Sequence, residues 1–242
     1  MRLIGKDYAP RPPKSAAMNN PIDAPRRALI FDLDGTLCDT LPLIYDCFRD
    51  VLLRFTGRRF ADDEIAPLFG PPEEGVLERV LPPTEAAEAL ESYLDLYRSR
   101  HARYVPLPAA QVRDLSGFRD EGVRLGVVTG KGIGTARITL AETGLADLFD
   151  VVLTGSVGFK RKPAPDGVRL VMRALGAEAG RSVFVGDHLA DVRAARAAEC
   201  TAVAAAWYER HDPRVRAADA GADHVFERWE DFVDWARGWV EG

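Results

Sequence analysis

The chain has 242 residues, of which 47% are hydrophobic and 29% are charged, proportions that are typical of a soluble globular protein. Its net charge is −5 and it has no basic block, so we expect no nucleic acid among its partners. No apolar stretch reaches the length of a membrane span, and we expect no membrane association.

The first 25 residues differ from the rest of the chain, because they are rich in proline and basic residues and contain no apolar segment. The sequence predicts a disordered tail over residues 1–25, without a secretory signal. Met18 is a second candidate for the start of translation. The three cysteines, Cys38, Cys47 and Cys200, have no metal-binding spacing, which favours a reducing compartment and a cytoplasmic location.

The apolar run Ala28–Phe31 predicts a buried strand of a parallel sheet. It leads into Asp32–Leu37, with the letters DLDGTL, so that two carboxylates emerge together at the carboxyl end of the strand. Ligands bind at that edge of an open α/β sheet. Two carboxylates at this spacing can divide the chemistry, since one can attack the substrate or bind a metal while the other moves a proton.

Residues 41–107 contain apolar side chains at helical spacing, interrupted by prolines, and no strong strand pattern. We interpret this range as four helices that form a small bundle. From residue 108 onward, predicted strands and helices alternate, which is typical of a parallel sheet with helices on both faces. The predicted fold is therefore α/β, with a Rossmann-like core formed by residues 26–40 and 108–242 and an all-α cap domain inserted at 41–107.

Polar residues follow the core strands at their carboxyl ends. In chain order they are Asp32 and Asp34, Thr129 and Gly130, Lys160 and Lys162, and Asp187 with Asp191. Because parallel strands end at the same edge of a sheet, we expect these residues to lie together. Carboxylates bind Mg²⁺, whereas hydroxyls, backbone N–H groups and lysines hold phosphate oxygens, so the set indicates phosphoryl chemistry.

Lysine usage supports this interpretation. Only five of the 32 basic residues are lysines, and three of them, Lys131, Lys160 and Lys162, lie in these loops. Lysine supplies a compact and mobile point charge. We expect Lys131 and Lys160 to be solvated charges that attract phosphate.

Four segments together resemble the haloacid dehalogenase superfamily, in its phosphatase branch with a helical cap. They are, in the order of the family, Asp32–Leu37, Val127–Gly130, Lys162–Pro165, and Val185–Asp187 with Asp191. The resemblance covers about residues 26–240 and is greatest to phosphoglycolate phosphatase-like and pyrophosphatase-like proteins. Two positions depart from the family pattern: Gly130, where asparagine is frequent, and Glu199, where a glycine often ends a helix.

The resemblance implies a phosphatase that forms an aspartyl-phosphate intermediate. Asp32 would be the nucleophile, and Asp34 would protonate the leaving oxygen and then activate the attacking water. Thr129 and Gly130 would bind the phosphate, and Lys162 would neutralise charge on the transferring group.

The resemblance also implies Mg²⁺ as cofactor. Asp32, the backbone carbonyl of Asp34 and Asp187 would bind the metal, and Asp191 would support the metal or Lys162 from a second layer. The implied substrate is a small phosphorylated metabolite, a phosphoglycolate-like phosphomonoester, and the protein would be a monomer or a homodimer.

Substrate choice is expected in the cap, where the loop Gly70–Glu73 and the neighbouring helices would close over the site. Replacement of Glu73 or Glu74 should then alter the KM for different substrates. Three alternatives stay open: a phosphomutase similar to β-phosphoglucomutase, a pyrophosphatase, and a non-catalytic phosphate-binding module.

Overall fold

The computed structural model describes residues 2–4, 26–208 and 221–242. A parallel sheet of seven strands forms its centre, in the order β1-β4-β3-β2-β5-β6-β7. The strands are β1 Arg2–Ile4, β2 Arg26–Phe31, β3 Arg124–Val128, β4 Val151–Leu153, β5 Ala177–Gly186, β6 Thr201–Ala205 and β7 His224–Phe226.

Nine α-helices lie in the described residues. They are α1 Leu41–Thr56, α2 Asp62–Ile65, α3 Glu73–Val80, α4 Pro83–Tyr104, α5 Ala109–Asp120, α6 Ile133–Glu142, α7 Asp166–Leu175, α8 Leu189–Ala197 and α9 Trp229–Glu241. A turn of 3-10 helix, Ala66–Leu68, follows α2. No helix of the described segments is long and apolar enough to cross a bilayer.

The side chains of β2 show why the sheet is covered on both faces. Leu29 and Phe31 belong to one apolar cluster, together with the side chains of α1, α4 and α9. Ala28 and Ile30 point to the opposite face and join a second cluster with α7 and α8. Successive residues of a strand face opposite sides of the sheet, so a run that is apolar at every position requires helices on both faces. The predicted α/β fold is confirmed.

The range from α1 to α4, residues 41–104, contains helices only, and we call it the helical insertion. Aromatic rings hold it together: the centroids of Phe48 and Tyr93 are 4.6 Å apart, and Tyr93 stacks on Tyr97 at 6.0 Å. The insertion also contacts the core, because the hydroxyls of Tyr97 and Thr139 are hydrogen-bonded at 2.8 Å. It therefore packs directly against α6.

The structure differs from the sequence predictions of secondary structure at three places. Residues 2–4 form β1, which pairs with β4, where the sequence predicted a disordered tail; residues 1 and 5–25 of that tail lie outside the described residues. A three-residue strand is too short to show a period of its own. Helix α5 was not predicted, and β5 begins at Ala177 rather than at residue 182.

Glu199 departs from the family pattern in sequence, and the structure shows the backbone conformation at this position. It follows α8 with a φ of +65°, the left-handed conformation that glycine adopts most easily. The glycine that is frequent at this position is thus replaced by a residue that keeps its backbone shape at some cost in strain.

Candidate active site

The loop after β2 turns sharply, so that both carboxylates stay near the end of the strand. Leu33 N donates a hydrogen bond to Asp32 Oδ1 at 2.7 Å, and Gly35 N donates to Cys38 O at 2.8 Å. Gly35 has a φ of +77°, a conformation that residues with a side chain rarely adopt. This glycine makes the tight turn that directly follows Asp32 and Asp34.

Gly35 also makes room for Asp187, which follows β5. A Cβ atom at position 35 would lie only 2.4 Å from Asp187 Oδ2. Thr36 Oγ1 donates a hydrogen bond of 2.9 Å to Asp187 Oδ1. The loop after β2 and the loop after β5 therefore pack closely against each other at the Asp187 carboxylate.

Three carboxylates form a compact cluster. Asp32, Asp187 and Asp191 each offer an oxygen within 4.8 Å of the others. Lys162 Nζ lies 2.6 Å from both Asp32 Oδ2 and Asp191 Oδ1, and it donates a hydrogen bond of 3.2 Å to Val128 O. One ammonium group thus faces two of three closely spaced carboxylates, which leaves an excess of negative charge.

Burial and the close spacing of the carboxylates raise the pKa values of Asp32 and Asp187. Burial raises the pKa of Asp32 to about 6, while Lys162 opposes the rise and the charge of Asp191 adds to it. The pKa of Asp187 is raised well above its usual value by burial and by the charges of Asp191 and Asp32. Burial lowers the pKa of Lys162, but Asp191 and Asp32 outweigh it and hold the lysine protonated.

Thr129 and Gly130 line the same cavity as Asp32. Thr129 follows β3 and is 2% exposed. Its backbone N–H donates a hydrogen bond of 3.0 Å to Leu153 O, and its Oγ1 accepts one of 3.2 Å from Lys131 N. The hydroxyl is fixed beside the carboxylates and keeps its own proton to donate.

The expectation of a solvated charge is wrong for Lys131, although Lys160 is exposed as predicted. The side chain of Lys131 is 0% exposed, and its Nζ lies 3.0 Å from Asp34 Oδ1 and 3.5 Å from Glu73 Oε1. The ammonium group also lies 4.7 Å from the ring centroid of Tyr97. The sequence could not show this, because the carboxylates and the ring that surround Lys131 are 34 to 97 positions away along the chain.

Asp34 therefore stands apart from the carboxylate cluster. Its Oδ1 contacts Lys131 and accepts a hydrogen bond from Thr40 Oγ1. The prediction for Asp34 as a metal ligand concerned its backbone carbonyl and stays a prediction. Asp191, which the resemblance placed in a second layer, lies in the cluster itself, next to Asp32 and Asp187.

Glu73 and Glu74 connect the helical insertion to the core. Glu73 Oε2 accepts a hydrogen bond of 2.6 Å from Gly132 N, at the start of α6, and its Oε1 accepts one of 2.6 Å from Thr135 Oγ1. Glu74 Oε1 accepts a hydrogen bond of 2.6 Å from Ser156 Oγ. The amino end of α3 is thereby joined to the start of α6 and to the loop after β4.

A cavity of about 360 Å³ lies between the core loops and the insertion. The core contributes Asp32, Asp34, Thr129 and Lys162, and the loop Gly70–Glu73 lies on the side of the insertion. All predicted site residues except Asp187 therefore line one cavity. Asp187 lies next to Asp32 in the carboxylate cluster. A space of this size admits a small molecule.

Comparison with known proteins places the chain in a family. Residues 29–205 match the sequence model of the family described as haloacid dehalogenase-like hydrolase. A phosphoglycolate phosphatase from Rhodospirillum rubrum is 32% identical over 232 residues, covering 86% of this chain and 90% of the relative. The pyrophosphatase PpaX from Bacillus velezensis is 29% identical over 210 residues, covering 85% and 94%.

Solved structures show the same fold. CbbY from Rhodobacter sphaeroides, in complex with phosphate, superposes with a TM-score of 0.69 at 24% identity and covers 84% of this chain and 94% of its own. A predicted phosphoglycolate phosphatase from Haemophilus somnus gives a TM-score of 0.72 at 21% identity, covering 87% and 98%. The family match spans most of the chain and includes all four motifs of the site, so this protein belongs to the haloacid dehalogenase-like hydrolases, as its sequence predicted.

Proposed function

We propose that this protein is a Mg²⁺-dependent phosphatase that hydrolyses a small phosphomonoester through an aspartyl-phosphate on Asp32. One observation carries the proposal: Lys162 Nζ lies 2.6 Å from Asp32 Oδ2, within a cluster that also holds Asp187 and Asp191. A carboxylate paired with an ammonium group at the edge of the sheet is suited to attack phosphorus while the charge on the phosphoryl oxygens is neutralised.

The donor set fits a hard divalent cation. Asp32 and Asp187 offer carboxylate oxygens, which Mg²⁺ prefers, and Asp191 is close enough to bind directly or to orient Lys162. The cluster carries more negative than positive charge, and a cation would relieve this repulsion. When bound, Mg²⁺ would offset the charge on the phosphoryl oxygens. The backbone carbonyl of Asp34 is the further ligand that we assign.

In the first half of the reaction, an oxygen of Asp32 attacks phosphorus and the bond from phosphorus to the ester oxygen breaks. Asp34 gives its proton to the departing oxygen, so that an alcohol leaves. Thr129 donates its hydroxyl hydrogen to a phosphoryl oxygen, and the Gly130 N–H binds beside it.

In the second half, water attacks the phosphorus of the aspartyl-phosphate. Asp34, now a carboxylate, takes a proton from that water, and the bond between phosphorus and Asp32 breaks to release inorganic phosphate. Asp34 is protonated again and the cycle is complete. The contact of 3.0 Å with Lys131 holds the Asp34 carboxylate in place between the two half-reactions.

We assign the role of a cap to the helical insertion. It supplies one side of the cavity, and Glu73 joins it to α6 through hydrogen bonds of 2.6 Å. A cap that closes over the substrate excludes water until the intermediate has formed. Pyrophosphate hydrolysis is the second candidate activity, because the relative from Bacillus velezensis carries that name.

Replacement of Asp32 by asparagine tests the mechanism. The Asp32→Asn variant should release no inorganic phosphate from a panel of phosphorylated metabolites, whereas the wild type does so only with Mg²⁺ and not with EDTA. Asp147→Asn is the matched control, since it makes the same chemical change at an exposed residue outside the cavity. Undiminished turnover by Asp32→Asn, or full activity of the wild type in EDTA, would refute the proposal.

Bisphosphorylated sugars extend the same assay to the phosphomutase alternative. A phosphatase releases inorganic phosphate from them, whereas a mutase returns an isomer. Binding without either product would favour a non-catalytic module.

A further inference from the structure

The side of the cavity that comes from the helical insertion is apolar. Its lining side chains include Leu41, Ile44, Phe48, Phe69 and Val76. Within residues 41–104, all of which the structure describes, Glu73 is the one charged residue that lines the cavity. The part of the substrate that faces the insertion therefore meets hydrocarbon and a single carboxylate.

The arginines of the insertion lie elsewhere. Arg49 pairs with Asp62 at 2.6 Å, Arg54 lies 3.5 Å from Glu88, and none of the eight arginines of residues 41–104 lines the cavity. Arg49 and Arg54 pair with carboxylates at the surface of the insertion.

The cations that do line the cavity belong to the core, namely Lys131, Arg161 and Lys162. Lys131 lies between Asp34 and Glu73, and Lys162 lies between Asp32 and Asp191, so both already face carboxylates. Arg161 is exposed and belongs to the loop that carries Lys162. We call the apolar side chains of the insertion that line the cavity the apolar wall. Among the described residues, the insertion offers no cation that could pair with an anionic group bound against this wall.

This arrangement discriminates between leaving groups. A leaving group that carries a negative charge, such as a carboxylate group or a second phosphate, would lose its hydration against the apolar side chains and would lie beside Glu73. Without a cationic partner this is unfavourable. An alkyl or aryl group would gain from burial against Phe48, Phe69 and Val76.

We propose that the substrate is a phosphomonoester of an uncharged, apolar alcohol, rather than phosphoglycolate or pyrophosphate. The inference rests on the proposed phosphatase function and adds the class of leaving group to it. It separates this chain from the relatives whose names refer to phosphoglycolate and pyrophosphate.

Matched pairs of substrates test the inference. n-Propyl phosphate and phosphoglycolate have similar length and differ in the charge of the leaving group. Phenyl phosphate and pyrophosphate form a second pair that also differs in this charge. We expect kcat/KM to be at least about tenfold higher for the neutral member of each pair. A smaller ratio overturns the inference while the phosphatase function stands. Release of phosphate from none of the four compounds, with Mg²⁺ present, defeats both.

A charge placed on the apolar wall should remove most of this preference. Phe69→Arg adds a cation at a half-buried position of the wall, and Val225→Arg adds the same charge at an exposed position of β7 outside the cavity. The ratio of kcat/KM for n-propyl phosphate to that for phosphoglycolate should fall about tenfold in Phe69→Arg and stay unchanged in Val225→Arg. An unchanged ratio in Phe69→Arg, or an equal fall in both variants, contradicts the inference. If Phe69→Arg fails to fold, Leu41→Arg at the start of α1 makes the same test.

Discussion

At the scale of single residues, Lys131 is the buried cation on which two carboxylates depend. Its Nζ lies 3.0 Å from Asp34 and 3.5 Å from Glu73, and the side chain has no contact with solvent. Burial lowers the pKa of Lys131, but the charges of Asp34, Tyr97 and Glu73 together outweigh burial, and the pKa is raised overall. The lysine is therefore protonated throughout the physiological range.

Lys131→Met removes this charge and keeps the length of the side chain. Glu73, which is buried, and Asp34, which is half-buried, then lack the cation between them, so we expect the free energy of unfolding to fall by about 3–5 kcal/mol. We also expect kcat to fall, because the Asp34 carboxylate loses its contact with the ammonium group and keeps the hydrogen bond from Thr40. Urea unfolding and steady-state hydrolysis of a phosphomonoester measure the two effects.

A double-mutant cycle with Glu73→Gln separates the ion pair from simple packing. If Lys131 and Glu73 interact as the distance of 3.5 Å indicates, the double variant is less destabilised than the sum of the two single variants. Additive losses of stability would show that no such pairing exists. The loss of kcat should persist in the double variant, since Asp34 still lacks its cation.

At the scale of elements, Asp114 joins α5 to α9. Its Oδ2 accepts a hydrogen bond of 2.9 Å from Trp229 Nε1, and Arg113 Nε lies 2.9 Å from Oδ1. Trp229 in turn packs against Phe31 of the central strand, with ring centroids 6.3 Å apart. Burial raises the pKa of Asp114, but the hydrogen bonds from Arg113 and Trp229 outweigh burial, so the pKa is lowered from its usual value of 3.8.

Asp114→Ala should reduce the free energy of unfolding by about 1–3 kcal/mol, because it leaves the buried indole N–H without its acceptor. A carboxylate with a lowered pKa in the folded state stabilises the protein above its unfolded pKa. Its contribution is lost as the pH falls through the folded-state pKa, which lies below 3.8. The difference between wild type and variant, measured by urea unfolding, should therefore shrink as the pH is lowered from 7 to below about 4. A difference that stays constant over this range would rule out the carboxylate as its source.

The same helix shows where sequence patterns fail. Helix α5 has few apolar residues, and Leu115 and Phe118 are its main buried apolar side chains. Gly117 also lowers its helix propensity, so the helical spacing of apolar residues in the sequence is weak. Strand β5 begins five residues before the apolar run, where exposed and half-buried residues alternate. In contrast, the fully apolar runs of β2, β3 and β4 were predicted to within two residues, because burial on both faces leaves a signal in every position.

At the scale of the whole molecule, the site is assembled where strands from distant parts of the sequence end at one edge of the sheet. This assembly could be predicted, since parallel strands bring Asp32, Thr129 and Asp187 to the same edge whatever their side chains contact. The environment of Lys131 could not be predicted. It depends on how the helical insertion packs against the core, and therefore on contacts that no local pattern encodes.

A metal bound between the loops after β2 and β5 would stabilise the folded protein as a whole, because only the folded state brings Asp32 and Asp187 together. Magnesium at one hundred times its dissociation constant would add about 2.7 kcal/mol to the free energy of unfolding, or about 5–10 °C in Tm for a chain of this size. Calorimetry with Mg²⁺ and with EDTA measures the shift. A Tm that does not respond to Mg²⁺ would contradict metal binding.

Two glycines provide matched variants for this measurement. Gly35 and Gly57 have φ angles of +77° and +69°, so alanine strains the backbone at both positions by a similar amount, on the order of 1–2 kcal/mol. At Gly57 a Cβ atom meets nothing within 4 Å, whereas at Gly35 it would lie 2.4 Å from Asp187 Oδ2 and displace that carboxylate. Both variants should lose stability in EDTA, and only Gly35→Ala should lose the rise in Tm with Mg²⁺. An equal response of both variants to Mg²⁺ would show that Asp187 is not among the ligands.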